Sequence, residues 1–333
     1  MIDFGLIICT YKRPLAVRRL LESIEDQSFY PGEIVVVDGS PDDSTKQILH
    51  ERIFKDLKYF PVAKKDLGLT KQRNYGLSQI SADLEVVCFL DDDVLLKPDF
   101  FENLLNTYYN YPNALGVGGY IIDNTIDWRR ADGAIKTEEY EIDGWVRPLG
   151  SRNALRRKLG LLSNLPPGFM PQASNGLSIG FLPPSGQTYP VEFFMGGVAS
   201  YRTEVFKYNR FSSYFEGYGL YEDMDFCLRA SKMGQLYVNT SARLYHYHED
   251  SGRPNRFEYG KMVIRNGWYV WRVKYPSPGL KARLKWNATA LLLTLVRLGN
   301  AVNTPKRIEA LTESTGRIIG WCSLLFDKPK HES

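Results

Sequence analysis

The first 122 residues alternate short apolar runs with amphipathic stretches, and this alternation restricts them to a mainly parallel sheet with helices on both faces. The spacing predicts strands at Phe4–Cys9, Glu33–Asp38, Lys58–Pro61, Leu84–Leu90 and Ala114–Ile122. Between them it predicts helices at Pro14–Gln27, Asp43–Arg52, Gly68–Ile80 and Asp99–Asn110. The first helix carries proline in its first turn, and Leu15, Leu20, Leu21 and Ile24 are read as one apolar stripe. Sheets of this class bind ligands outside the carboxyl ends of their strands. Thr10, Asp38 and Asp91 each stand just after a predicted strand end, so the pattern sets three polar positions along one edge.

Asp91, Asp92 and Asp93 directly follow the apolar run Leu84–Leu90. Several carboxylates in one small volume repel each other and lose hydration, a cost that a cation relieves. Hard oxygen ligands at this spacing suit Mg²⁺ or Mn²⁺ holding a diphosphate. Acids also favour helix N-termini, but Pro98-Asp99 already supplies the next helix start. The expectation is an enzyme that uses a nucleoside diphosphate.

Residues 123–190 are rich in Gly, Pro and Asn and poor in periodicity, so a long excursion is expected, with a short helix near Asn153–Leu162. Order returns at Val191, with a helix at Glu222–Met233 stopped by Gly234 and a strand at Ala242–Tyr247. Three helices follow at Phe257–Lys274, Leu280–Leu298 and Pro305–Phe326. Residues 251–333 hold 15 Lys/Arg against 5 Asp/Glu, so the net +4 of the chain leaves −6 on the first 250 residues. A basic tail on an acidic body suits an anionic partner such as a membrane surface or a lipid-linked phosphate; no motif supports nucleic acid. The apolar stretch Trp286–Val296 spans 11 residues, short of the ~20 that cross a bilayer. It reads either as a core helix or as one lying flat on a membrane. Cys9, Cys88, Cys227 and Cys322 include no C-x-x-C pair, which suggests a reducing compartment and no disulfide framework. The run Phe4–Cys9 is too brief for a signal peptide.

Taken in order, these motifs resemble the inverting family-2 glycosyltransferases with the GT-A fold. The matching pieces are Cys9–Pro14, Val35–Ser40, Gly68–Gly76, Phe89–Asp93, Gly196-Gly197, Tyr221–Phe226 and Tyr245–His248. The resemblance covers roughly residues 1–275. It implies a catalytic domain there, divided into a nucleotide-binding half (1–122), a variable excursion (123–190) and an acceptor half (191–275). Residues 276–333 form a basic helical extension.

The resemblance also implies roles. Asp93 and Asp91 hold the cation, and Asp91 and Asp92 lie near the ribose or diphosphate. Thr10, Tyr11, Arg13 and Asp38 line the nucleoside pocket, with Asp66 and Arg73 as further donor contacts. Asp223 is the catalytic base and Glu222 positions acceptor hydroxyls. Gly196 and Gly197 pass beneath sugar and acceptor, since glycine lets backbone approach a ligand closely. His246 or His248 completes the metal shell; the two alternate on a strand and face the same way. Arg265-Asn266 is expected to meet phosphates. The implied reaction is single displacement from a UDP- or dTDP-linked sugar to a glycan or lipid-linked acceptor, at the cytoplasmic face of a membrane. Two rivals are an inactive nucleotide-sugar-binding protein and a sugar-phosphate nucleotidyltransferase. The second needs a glycine-rich loop after the first strand, and Cys9–Pro14 contains no glycine.

Overall fold

The computed structural model describes residues 2–173, 176–247 and 254–330. Strands β1 (Phe4–Thr10), β2 (Glu33–Asp38) and β3 (Leu57–Pro61) alternate with helices α1 (Pro14–Glu25), α2 (Ser44–His50) and α3 (Leu69–Gln79). Next come β4 (Val86–Asp91), β5 (Val94–Leu96), α4 (Phe100–Asn110) and β6 (Ala114–Ile121). The excursion holds β7 (Arg129–Arg130), β8 (Glu139–Ile142), β9 (Trp145–Pro148) and α5 (Ser151–Lys158). The remainder is β10 (Thr188–Val191), β11 (Val198–Arg202), α6 (Glu222–Ala230), β12 (Gln235–His246), α7 (Arg256–Lys274), α8 (Leu280–Asn303) and α9 (Arg307–Ser323). These divide into two compact units, Met1–Asp123 with Pro184–Arg253 and Asn124–Pro183 with Pro254–Ser333.

The first unit is built on a nine-stranded sheet of order β10-β12-β6-β11-β4-β1-β2-β3, with β5 added on β12. β4, β1, β2 and β3 run parallel, as the alternation requires. Their register sets Thr10 beside Asp38 and Cys9 beside Asp91, so the three expected polar positions share one edge. β11 lies antiparallel between β4 and β6, which makes the sheet mixed. Leu6 and Ile8 of β1, Val36 of β2 and Val86 and Cys88 of β4 share one core with Leu20, Leu21 and Ile24 of α1. Removing each such aliphatic side chain from water contributes roughly 1.5–3 kcal/mol. Leu15 departs from the expected stripe and is 64% exposed; Val17 takes its place, because at ~100° per residue Leu15 falls on the opposite side.

β12 begins seven residues before the expected strand. Asn239, Thr240 and Ser241 interrupt its apolar pattern, and the pairing with β6 shifts register between Val238 and Arg243. Across this gap the β10 side holds the polar stretch: Asn239 pairs with Thr188, and the Thr240 N–H donates to the Gln187 carbonyl at 3.0 Å.

In the second unit β7, β9 and β8 form a small antiparallel sheet. The β8–β9 connection is Asp143-Gly144, both with positive φ, and Ile142 pairs with Trp145. An Asp-Gly pair in the left-handed region is the favoured two-residue hairpin turn, a signal readable in the sequence that the poor periodicity around it masks. α7 and α9 approach closely at Gly260, Gly316 and Gly320. Trp271 of α7 stacks on Trp286 of α8 with ring centres 5.6 Å apart. A side chain at Gly260 would meet the Glu313 carbonyl oxygen at 2.1 Å. Gly260→Leu should therefore cost at least about 1–3 kcal/mol by overpacking. Gly299→Ala, with open space at its Cβ, should leave stability equal or raised by up to about 1 kcal/mol. Thermal unfolding of both variants checks the contrast.

Candidate active site

The parallel strands deliver their acids to one edge, and two loops close over them. Thr10, at the end of β1, donates its hydroxyl to Asp92 Oδ2 at 2.7 Å. Arg13, at the start of α1, donates to Asp92 Oδ1 at 2.9 Å and to Asp93 Oδ2 at 3.3 Å. Asp92 is thus buried with both oxygens engaged. Burial pushes its pKa up to about 6, against the pull of Arg13 and Thr10. Asp92, the residue expected near the donor, uses its two oxygens to tie the β1–α1 loop to the acidic turn.

Asp93 continues into β5, which pairs with β12 so that His246 stands opposite Val94. That register sets His246 Nε2 2.9 Å from Asp93 Oδ1, while the Tyr247 N–H donates to the Asp93 carbonyl at 2.8 Å. Burial opposes charge on His246, but the Asp93 hydrogen bond and the neighbouring Asp91 raise its pKa overall. Ligand atoms of Asp91, Asp93 and His246 all lie within 4.8 Å of one another. Asp91 remains partly exposed and forms an ion pair with Arg73 Nη2 at 3.5 Å. Two carboxylates and an imidazole, with one carboxylate open to solvent, form a donor set that fits Mn²⁺ or Mg²⁺. His248 lies outside the described residues.

Arg73 of α3 is buried and bridges this edge to α6. It contacts Glu222 Oε1 and reaches toward Asp91. Burial works against its charge, yet Glu222 and then Asp91 hold the guanidinium more firmly protonated than usual. Glu222 is buried in turn, and that burial raises its pKa against the pull of Arg73. Glu222, the residue expected to meet acceptor hydroxyls, turns Oε1 to Arg73, while its Oε2 is buried without a hydrogen-bond partner among the described residues. Gly196 and Gly197 run past these groups. A Cβ at Gly197 would lie 2.0 Å from Asp91 Oδ2, and one at Gly196 would lie 2.6 Å from Arg73 Nη1. No side chain fits at either position without moving the acids or Arg73.

Asp223, in the first turn of α6, accepts from the Met224 N–H at 2.7 Å and from the Gly196 N–H at 3.2 Å. Burial raises its pKa above the ordinary carboxylate value, and these two N–H groups oppose the rise. Tyr221, just before it, holds a left-handed backbone with φ 70°, a strain of about 1–3 kcal/mol for a non-glycine residue. Asp225 faces away and pairs with Arg229 at 2.7 Å.

The opposite end of the edge is formed by Tyr11, Lys12 and Asp38. Asp38 is 1% exposed, accepting from the Ser40 N–H at 2.8 Å and from the Tyr59 hydroxyl at 2.9 Å. Ser40 then accepts the Lys12 N–H at 2.7 Å, which joins the loops after β1 and β2. The Tyr11 ring is 36% exposed with Lys12 Nζ 5.3 Å from its centre. Asp66 lies in the 64–66 turn before α3. Arg265 belongs to the second unit, where it binds Ser323 and Asp327. The Arg73–Glu222 pair and the Thr10–Asp92–Arg13 network escape sequence reading, because each joins residues more than 75 positions apart.

The comparisons agree with this geometry. The model of the family described as Glycosyl transferase family 2 matches residues 6–209. That is more than half of the chain, and the chain belongs to this family. The match ends before Asp223 and His246.

Among curated proteins, the chain is 28% identical over 126 residues to glucosyl-dolichyl phosphate glucuronosyltransferase of Haloferax volcanii, covering 37% of this chain and 39% of that one. It is 34% identical over 96 residues to GalNAc(5)-diNAcBac-PP-undecaprenol beta-1,3-glucosyltransferase of Campylobacter jejuni, covering 28% and 30%. The chain therefore spans well under half the length of these relatives. Among solved structures, mannosyltransferase PcManGT from Pyrobaculum calidifontis in complex with GDP-Man and Mn²⁺ superposes with a TM-score of 0.54 at 15% identity, over 98% of this chain and 88% of that one. GalNAc-T7 with UDP, GalNAc and Mn²⁺ gives 0.52 at 16% identity, over 86% and 53%. The sheet, its flanking helices and these neighbours define a GT-A fold.

Arg73→Met leaves Glu222 buried without its cation and should cost about 3–5 kcal/mol. Pairing it with Glu222→Met removes both charges and should recover most of that loss. Urea unfolding of the two single variants and the double variant measures the coupling.

Proposed function

We propose that this chain is a divalent-metal-dependent inverting glycosyltransferase. Its donor would be a UDP- or dTDP-linked hexose or deoxyhexose and its acceptor a glycan or a lipid-linked glycan. The observation that carries the reading is the meeting of Asp91, Asp93 and His246 at one sheet edge with Asp223 across Gly196-Gly197 from them. Family membership supports glycosyl transfer. The names of two relatives contain dolichyl phosphate and undecaprenol, which favours a lipid-linked acceptor.

Asp91, Asp93 and His246 would hold Mn²⁺ or Mg²⁺. When bound, the cation supplies positive charge for the two phosphates of the leaving nucleoside diphosphate. Arg73 holds Asp91 and Glu222 in place, so the acid edge and the first turn of α6 keep a common geometry. Tyr11 offers an exposed ring on which a base stacks, and Asp38 orders the pocket wall through Ser40 and Tyr59. Asp223 has one N–H on each oxygen, which leaves lone pairs free to take a proton.

In the reaction the acceptor oxygen bonds to the anomeric carbon as the bond from that carbon to the diphosphate oxygen breaks. The bonding pair leaves with the diphosphate, and the hydroxyl proton passes to Asp223. Attack from the face opposite the leaving group inverts the centre in one step.

Asp223→Asn should lower kcat by at least about a hundredfold, with the affinity for nucleoside diphosphate plus Mn²⁺ nearly unchanged. Asp93→Ala should instead weaken Mn²⁺-dependent nucleoside diphosphate binding. Calorimetry with UDP and dTDP, together with turnover assays, separates the two; near-normal transfer by Asp223→Asn would remove it as the base. Asp223 must be unprotonated to accept a proton and its burial raises its pKa. Activity should therefore fall as pH drops, with the acid limb of kcat/KM above the ~3.9 of a free aspartate. A pH–rate profile with limbs at or below that value would count against this role.

A further inference from the structure

The second unit carries an apolar stripe that serves neither the site nor the core. α8 buries Trp286, Thr289, Ala290 and Thr294 on one side. On its other side Leu280, Leu284, Leu291, Leu295, Leu298 and Val302 are between 38% and 75% exposed. Steps of three, four and seven residues keep them on one line along the helix. α9 repeats the pattern, with Ile308, Leu311, Ile318 and Ile319 all at least 45% exposed. The two helices are bound side by side: Arg297 pairs with Glu313 at 2.9 Å, and Trp321 Nε1 donates to Asn287 Oδ1 at 2.7 Å. Exposed apolar rows of this length on neighbouring helices mark an interaction face.

Charge decides what covers it. Residues 276–330 contain nine Lys/Arg against three Asp/Glu. All three acids are already paired: Glu309 with Arg256, Glu313 with Arg297 and Arg317, and Asp327 with Arg265. Lys281, Arg283 and Lys285 flank the start of the stripe, and Lys306 and Arg307 stand at the turn into α9. None of these five has an ion pair among the described residues. A second copy would set the same positive charges against them, whereas an anionic surface neutralises them. Among the described residues no helix is long and apolar enough to cross a membrane.

We propose that the α8–α9 hairpin lies flat on an anionic lipid surface. The leucine stripe enters the boundary between headgroups and acyl chains, and Lys281, Arg283 and Lys285 meet the headgroups. The proposal stands apart from the assigned chemistry, and its test reads vesicle binding without turnover.

The full chain is sedimented with phosphatidylcholine vesicles, with or without phosphatidylglycerol. Binding to the anionic vesicles should be at least about tenfold tighter and should weaken as salt screens the charges. Lys281→Glu with Arg283→Glu should reduce binding to the neutral-vesicle level, and Leu291→Glu with Leu295→Glu should abolish it. All four side chains lie outside the core, and circular dichroism confirms that the variants fold. Absence of vesicle binding overturns the proposal, as does equal binding to both vesicle types that survives the charge reversals. Light scattering adds a third test: a dimer that the leucine variant dissociates, without vesicle binding, would assign the face to a second copy.

Discussion

Five carboxylates crowd one edge of a sheet, and the surrounding structure is organised to keep them there. Asp91, Asp92, Asp93, Glu222 and Asp223 come from two distant segments, and among the described residues Arg13, Arg73 and His246 stand among them as cations or potential cations. Arg73 is the central piece. It is buried, so its charge must be compensated nearby, and Glu222 and Asp91 are the compensation. Because those two acids sit on different elements, the electrostatic demand of one guanidinium ties the end of β4 to the start of α6. Gly196-Gly197 is the steric counterpart, since that backbone must pass within contact distance of both groups.

This arrangement divides the acids by environment. Asp92 is consumed by Thr10 and Arg13, so its burial serves the loop. Asp91 and Asp93 keep oxygen atoms turned toward each other and His246. Asp223 receives backbone N–H groups that hold its orientation without neutralising it. Three roles thus emerge from one residue type through different hydrogen-bond partners.

Much of this was legible in the sequence. The parallel strands β1, β2 and β4 follow from apolar runs, and the shared edge of Thr10, Asp38 and Asp91 follows from strand ends in a parallel sheet. The acid triplet announced itself because three adjacent carboxylates directly after an apolar strand need a reason. The hairpin β8–β9 was hidden in a region of weak periodicity, although Asp143-Gly144 carries its turn. β12 was hidden because Asn239–Ser241 break its apolar pattern, and only the strands paired to either end of that stretch carry the strand through it. Leu15 was misplaced because its side chain falls outside the arc that faces the core.

Chain order and residue chemistry alone therefore determined the strand–helix alternation, the edge that gathers Thr10, Asp38 and Asp91, and the acids at Asp91–Asp93 and Glu222-Asp223. These depend on local periodicity and on charge, which a linear pattern records. The tertiary structure alone decided that His246 meets Asp93, through the β5–β12 register, and that Arg73 spans to Glu222 rather than to solvent. It also decided which leucines of α8 are left outside. Each of these depends on which distant surfaces come to share a dry or wet environment, and that is set only when the chain has folded.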